Sequence, residues 1–252
     1  MCVFRVLDTT GNGLAMSITI YVISAVLVFF FSGLLAMAGL GAAFIFVPLF
    51  YYLGVPLAEA APTALLLNVV SLLFATINYW KGKLINWRVG LPILIAAVIL
   101  SPIGARLTAQ VNKTLLLSLF VAFLFFAGFM MLFYKSKTRE HPLSRPVDIG
   151  TGIGVGSAAG FLGGLLGIGG GNFILPVLNW IGLNAKTAAG TTALVVVFSS
   201  LSGFLGHITM GGLNPVFIGV MAVMAAAGSI VGSQLMKTKL SNRGLKRMIG
   251  TM

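Results

Sequence analysis

Negative charge is nearly missing from this sequence. Its 252 residues include only four acids, Asp8, Glu59, Glu140 and Asp148, and none sits inside a long apolar stretch. A carboxylate proton relay or a carboxylate cage for Na⁺ within the membrane is therefore disfavoured. Cysteine is scarcer still: Cys2 stands alone, so no intramolecular disulfide can form and the redox compartment cannot be read. With two histidines, no metal-ligand cluster and no nucleophile–base pair is visible, and an enzyme or a cofactor has no support. Charge of either sign is sparse as well, at 8% against 58% apolar residues, where a soluble domain carries about 25% charged residues. Bilayer is the solvent that such a surface requires. The net charge of +12 raises nucleic acid as a partner, but the basic residues fall in short runs between apolar spans, as in cytoplasmic membrane loops. No nucleic acid is expected.

What is present is a succession of apolar spans. Ala58–Tyr79, Val89–Ala109, Thr114–Tyr134, Thr187–Ile208 and Val216–Leu235 each approach the ~20 residues that a membrane helix needs. Two further stretches, Ile18–Leu53 and Ile149–Ile181, are too long for one span. Glycine breaks both in the middle, at Gly39-Leu-Gly41 and at Gly167-Ile-Gly-Gly-Gly171. Tyr51, Tyr52, Trp80, Trp87 and Trp180 fall at span ends, as interfacial anchors do. The first stretch has the look of a signal peptide, with Ala36 and Ala38 as a cleavage site. A second copy of it deep in the chain argues for keeping it in the mature protein.

That copy belongs to a repeat. At a constant offset of 128 positions Gly39-Leu-Gly41 meets Gly167-Ile-Gly169, Pro48 meets Pro176, and Gly54 meets Gly182. Thr63 then meets Thr191, Ser71 meets Ser199, Asn86 meets Asn214, and Ser101 and Gly104 meet Ser229 and Gly232. The expected fold is an all-α membrane protein of two inverted repeats, each a glycine-broken helical hairpin followed by about three transmembrane helices. The first repeat spans 16–134, a cytoplasmic linker 135–148, and the second repeat 149–252. Inversion follows from the basic residues. If each broken stretch crossed the membrane once, the 16 Lys and Arg would divide evenly. If each is a hairpin, only Arg5, Arg106 and Lys113 lie outside and the other thirteen lie inside, as the positive-inside rule demands. The counterpart of the helix from Thr114 begins near Asn242 and the sequence ends at Met252, so the expectation is either a short last helix or a sequence cut off within it.

A helix broken inside hydrocarbon leaves backbone groups unpaired, which is tolerated only where they are buried in protein or line a cavity. The first amides of the second half-helix attract negative charge through free donors and the macrodipole. Two such breaks in inverted repeats are expected to meet near the midplane and to mark the substrate site of a transporter. Gly41, Ala42, Ala43 and Phe44 in one repeat, and Gly169, Gly170, Gly171, Asn172 and Phe173 in the other, are the first candidates. The bland alternative is close helix packing, which suits the spaced glycines 150–164 better than three adjacent ones. Thr63, Thr191 and Thr192 open the next helices, where their hydroxyls either coordinate an anion or cap the helix. Asn68, one turn beyond Thr63, is expected to face the interior. Ser71, Ser199, Ser200 and Ser202 do likewise, or bond back to their own helices. Arg106 and His207 are candidates for gating or coupling. Against this, arginine at a span end commonly snorkels, and His207 can be a plain interfacial residue instead of a proton carrier.

The motifs Gly39-Leu-Gly41-Ala-Ala…Pro48…Gly54 and Gly164-Leu-Leu-Gly167-Ile-Gly-Gly-Gly171…Pro176…Gly182, with Ala188-Ala-Gly-Thr-Thr192, Gly104 and Gly232, together resemble the sulfite exporter TauE/SafE family. The resemblance runs over nearly the whole chain. It implies a multi-pass protein of the bacterial inner membrane that moves sulfite or an organosulfonate anion, mostly outward. The reading is thus a secondary transporter working by alternating access, with the anion and membrane lipid as partners. A coupling proton or cation, and a homodimer, are open. Alternatives are an importer of a related organic anion, a passive anion pore, and a membrane assembly protein whose glycines serve packing alone.

Overall fold

The computed structural model describes residues 18–53, 55, 57–133, 145–207, 215–241 and 245. Among them are nine α-helices, one 3-10 turn and no strand. In order, α1 is Ile18–Ala38, α2 Ala43–Tyr52, α3 Leu57–Lys81, α4 Trp87–Leu107, α5 Lys113–Phe133, α6 Arg145–Leu166, α7 Gly171–Trp180, α8 Ala185–His207 and α9 Pro215–Thr238, with the 3-10 turn Thr108–Gln110 after α4. Six of the helices, α1, α3, α4, α6, α8 and α9, are long and apolar enough to cross a bilayer, and α5 spans 21 residues too. Both broken stretches are interrupted where the sequence predicts. Arg5, most of the linker, Asn214 and the chain from Asn242 apart from Leu245 lie outside the described residues.

Asparagine sets several helix starts. Its side-chain oxygen at Asn86 accepts from the amides of Arg88 and Val89, at Asn112 from Thr114, and at Asn184 from Thr187, satisfying donors that a helix start otherwise leaves open. The offset of 128 reappears in the elements: α2 and α7 coincide at both ends, α3 and α8 at their starts, α4 and α9 at their starts, and α1 and α6 at their ends.

Packing follows glycine and serine. A Cβ at Gly104 would run into the Phe161 carbonyl, bringing α4 onto α6. At Gly232 it would run into the Gly33 carbonyl, bringing α9 onto α1. These contacts are equivalent under the offset. So are two hydrogen bonds, Ser101 Oγ to the Ser199 carbonyl at 2.8 Å and Ser229 Oγ to the Ser71 carbonyl. Along α4 and α8 the contacts rise together, from Asn86–Thr191 to Ser101–Ser199. Along α3 and α8 they run oppositely, with Leu65 beside Gly203 and Asn68 beside Ser200. Small residues at such crossings let backbones approach closely. Alanine at Gly104 or Gly232 is therefore expected to destabilise the fold by about 1–3 kcal/mol through overpacking. Gly150→Ala, which meets nothing within 4 Å, should be neutral; melting curves in detergent check both.

Charge separates the two ends. Lys81 ends α3, Arg88 opens α4, Lys186 opens α8 and Lys237 ends α9. These ends meet where Lys186 Nζ donates to the Lys237 carbonyl at 3.3 Å, with Lys83 and Lys239 alongside in sequence. At the opposite end are Arg106, in the last turn of α4, and Glu59, in the first turn of α3. Outward faces carry Val26, Phe30, Ile99, Phe125 and Val223, and Tyr52, Trp80, Trp87 and Trp180 are exposed at helix ends, the places where interfacial aromatics anchor a helix.

Candidate anion site at the paired helix breaks

Each break begins as a glycine-terminated helix end. The Leu40 amide reaches back to the Leu35 carbonyl at 3.2 Å, and Ile168 to Gly163 at 2.9 Å, the long-range bond of a Schellman motif. The left-handed residue that this motif requires is Gly39 after α1 (φ 68°) and Gly167 after α6 (φ 71°). A second left-handed residue, Gly41 (φ 70°) or Gly169 (φ 74°), then turns the chain into the half-helix. Any L side chain there costs about 1–2 kcal/mol in backbone strain alone.

The half-helices are ten residues each, about 15 Å long and half of a ~30 Å hydrocarbon core. Their starts differ from those of α4, α5 and α8. The cap residues are Ala42 and Gly170, which make no side-chain cap bond. The first amides bonded within the helices are Ile45 and Phe46, to Ala42, and Phe173 and Ile174, to Gly170. The amides of Ala43, Phe44, Gly171 and Asn172 come before them. A buried helix start without a cap calls for an outside partner, and both starts are buried: Ala42 and Ala43 are fully enclosed and Asn172 is 6% exposed.

The two breaks meet. A Cβ at Gly171 would run into the Leu40 carbonyl of the other break, with Val196 Cγ2 at 3.0 Å. Asn68 lies between them. Its Oδ1 faces Gly41, and its Nδ2 would stand 2.7 Å from a Cβ at Gly169. That Nδ2 donates to Ser200 Oγ at 3.0 Å, while Ser199 Oγ donates to the Gly169 carbonyl at 3.0 Å. Asn68 and Val196 are near the middle of α3 and α8, so the junction sits at mid-length of both spans. Three buried oxygens have no hydrogen-bond partner: Asn68 Oδ1 at the junction, Asn172 Oδ1 in the first turn of α7, and Thr192 Oγ1 on α8 four residues before Val196. Buried polar atoms left so are costly.

Not every candidate joins the junction. Phe44 and Phe173 are half-buried and pack against the core. Thr63 is buried, whereas Thr191 Oγ1 accepts from the Asn86 amide at 2.9 Å and so braces the start of α4. Arg106 is exposed at the end of α4. His207 is buried with its Nε2 3.0 Å from the Gly164 carbonyl, on the helix before the second break and not in the junction. Ser200 enters as the partner of Asn68 from 132 positions away, a pairing that no local pattern could give.

The sequence matches the model of the family described as Sulfite exporter TauE/SafE over residues 23–252. It is similar to the probable membrane transporter protein YunE of Bacillus subtilis, 26% identical over 81% of this chain and 85% of that one. A probable membrane transporter of Methanocaldococcus jannaschii is 28% identical over 73% and 71%. The Sulfite exporter TauE/SafE family protein 1 of Arabidopsis thaliana is 33% identical over 36% of this chain and 20% of its own length. No solved structure matches. With apolar helices enough for a multi-pass membrane protein and a family match over nearly its whole length, this chain belongs to the sulfite exporter TauE/SafE family, a family of membrane transporters and not of enzymes.

Proposed function

We propose that the protein is a secondary transporter of the bacterial inner membrane that exports sulfite or a small organosulfonate by alternating access. The observation that carries this is the meeting of two uncapped, buried half-helix starts at Asn68, Gly41, Gly169 and the Leu40 carbonyl. Amide donors and aligned dipoles in a low-dielectric site favour an anion. The Asn68 and Ser200 side chains add hydrogen bonds that shape selectivity. The amides of Ala43, Phe44, Gly171 and Asn172 are the proposed donors. Thr192, with its unpartnered hydroxyl, and buried Thr63 are the proposed side-chain ligands, and Thr191 supports the site from outside it. Arg106 stands where an anion leaves or enters.

Two inverted repeats, 16–134 and 149–252, are the frame for this mechanism. Its support is the antiparallel run of α3 on α8, the reciprocal Ser101–Ser199 and Ser229–Ser71 bonds, and the cationic end formed by Lys81, Arg88, Lys186 and Lys237. Basic residues collect on the cytoplasmic side, so that end faces the cytoplasm. In the described arrangement Gly41, Ala42, Asn68, Gly169 and Ser200 are all buried, so an anion reaches them only when the helices around the junction move.

Reconstituted into liposomes, the protein is expected to move radiolabelled sulfite with saturable kinetics, and chloride not at all. Flux that rises linearly with sulfite, together with single-channel currents in a planar bilayer, would show a pore instead. No flux above protein-free vesicles, in either direction and under imposed pH and Na⁺ gradients, would remove the transport reading.

A further inference from the structure

We propose that Tyr79 and His207 are matched latches, each holding the end of the helix that precedes a break, and that His207 is a positioning hydrogen-bond donor and not a proton carrier. The two residues are equivalent under the offset of 128, and so are their acceptors. The Tyr79 hydroxyl donates to the carbonyl of Ala36, and His207 Nε2 lies 3.0 Å from the carbonyl of Gly164. A carbonyl oxygen only accepts, so Nε2 carries the proton in this contact.

Each acceptor also takes the amide of the left-handed glycine that opens its break. Gly39 N donates to Ala36 at 3.0 Å and Gly167 N to Gly164 at 3.3 Å. Latch and glycine thus fill the two lone pairs of one carbonyl, three residues before the chain leaves its helix. Both latches are fully buried, near the last turn of α3 and at the last residue of α8. Phenol and imidazole share one property relevant here, a donor at the tip of a planar ring. They do not share titration near neutral pH, so titration is not what this position demands. At the His207 end the charged residues among those described are Arg106 on α4, which is exposed, Glu59 in the first turn of α3 and Lys113 at the start of α5; α6 offers none between Ile149 and Leu166.

For its consequence in transport the inference rests on the proposed function, since a fixed helix end is what aims each half-helix at the anion. One test reads it without any substrate: hydrogen–deuterium exchange of the segment 164–171. His207→Phe is expected to raise exchange there about tenfold, the loss of one hydrogen bond, while His207→Gln and His207→Tyr, which keep a donor, restore the slow rate. In liposomes the Gln and Tyr variants should retain wild-type sulfite flux and its response to a pH gradient, and His207→Phe should lose most of its flux. Should His207→Phe fail to fold, Tyr79→Phe asks the same question of residues 36–41. Unchanged exchange in the Phe variants would overturn the latch. Slow exchange in the Gln and Tyr variants, with their response to the pH gradient abolished, would make His207 the proton carrier. Absent flux in the wild type would count against the transport reading alone, because the exchange arm would still report.

Discussion

Replacing Gly169 by alanine is expected to lower sulfite flux by about thirtyfold or more. Two costs add at this position. The backbone is left-handed at φ 74°, where a Cβ costs about 1–2 kcal/mol. That Cβ would also run into Ser200 Oγ and stand 2.7 Å from Asn68 Nδ2, adding about 1–3 kcal/mol of overpacking. Neither side chain can withdraw, because each is fully buried and they are hydrogen-bonded to one another. The relief available is a shift of the break itself, which carries the first amides of α7 away from the junction. At tenfold per ~1.4 kcal/mol, even the lower part of this range removes most of the rate. Gly41→Ala should behave alike, its Cβ meeting Asn68 Oδ1 within the same repeat. Gly219→Ala meets nothing within 4 Å and should transport as the wild type does. Equal flux from all three variants would mean that the breaks do not form the path.

The second large effect is expected at Asn68. Asn68→Leu keeps the volume and removes the bond to Ser200, leaving a buried hydroxyl exposed to a penalty of about 1–3 kcal/mol; KM for sulfite should rise roughly ten- to a hundredfold. Asn68→Asp does more. A carboxylate about 4 Å from a bound anion is worth about 4 kcal/mol of repulsion at an effective dielectric constant near 20, or close to a thousandfold in binding. The order wild type, Leu, Asp in falling affinity is the signature of an anion site. An Asp variant that binds sulfite better than the Leu variant would indicate a site for cations.

These residues show what a sequence of this kind exposes and what it hides. The breaks are legible because glycine is nearly alone in tolerating left-handed backbone, and the chain spends it at Gly39, Gly41, Gly167, Gly169 and Gly170, each with positive φ. Asn68 is legible as polar within an apolar run, and the repeat shows in residues that seldom match by chance, such as Pro48 with Pro176. The rest depends on tertiary contact. Ser200 looks like any serine on a membrane helix until α3 and α8 cross. Thr191 carries the same motif as its neighbour Thr192, yet its hydroxyl goes to the Asn86 amide. Comparison of the repeats residue by residue leaves Tyr79 and His207 unpaired, because phenol and imidazole are unlike in every property except the one used here. Arg106 is read from its place at a span end, and its side chain is exposed.

Symmetry in the frame does not extend to the chemistry. Asn68 stands in the first repeat where Val196 stands in the second, and Ser200 answers to Leu72. The polar pair across the junction therefore has an apolar counterpart, so a transported anion meets two similar helix starts but one set of side chains. A single repeat reused twice provides the opposed dipoles, and its divergence provides selectivity. Ser199 and Ser71 diverge in the same way: Ser199 holds the Gly169 carbonyl, while Ser71 Oγ has no partner.

Equilibrium binding of radiolabelled sulfite to the purified protein, measured with Gly41→Ala, Gly169→Ala and Gly219→Ala beside the wild type and with chloride as competitor, tests the central idea most directly. Saturable binding in the wild type and Gly219→Ala, indifferent to chloride and lost in both break variants, is the expected result. Undiminished binding in folded Gly41→Ala and Gly169→Ala protein would contradict it, since the anion would then be held by something other than the two uncapped helix starts.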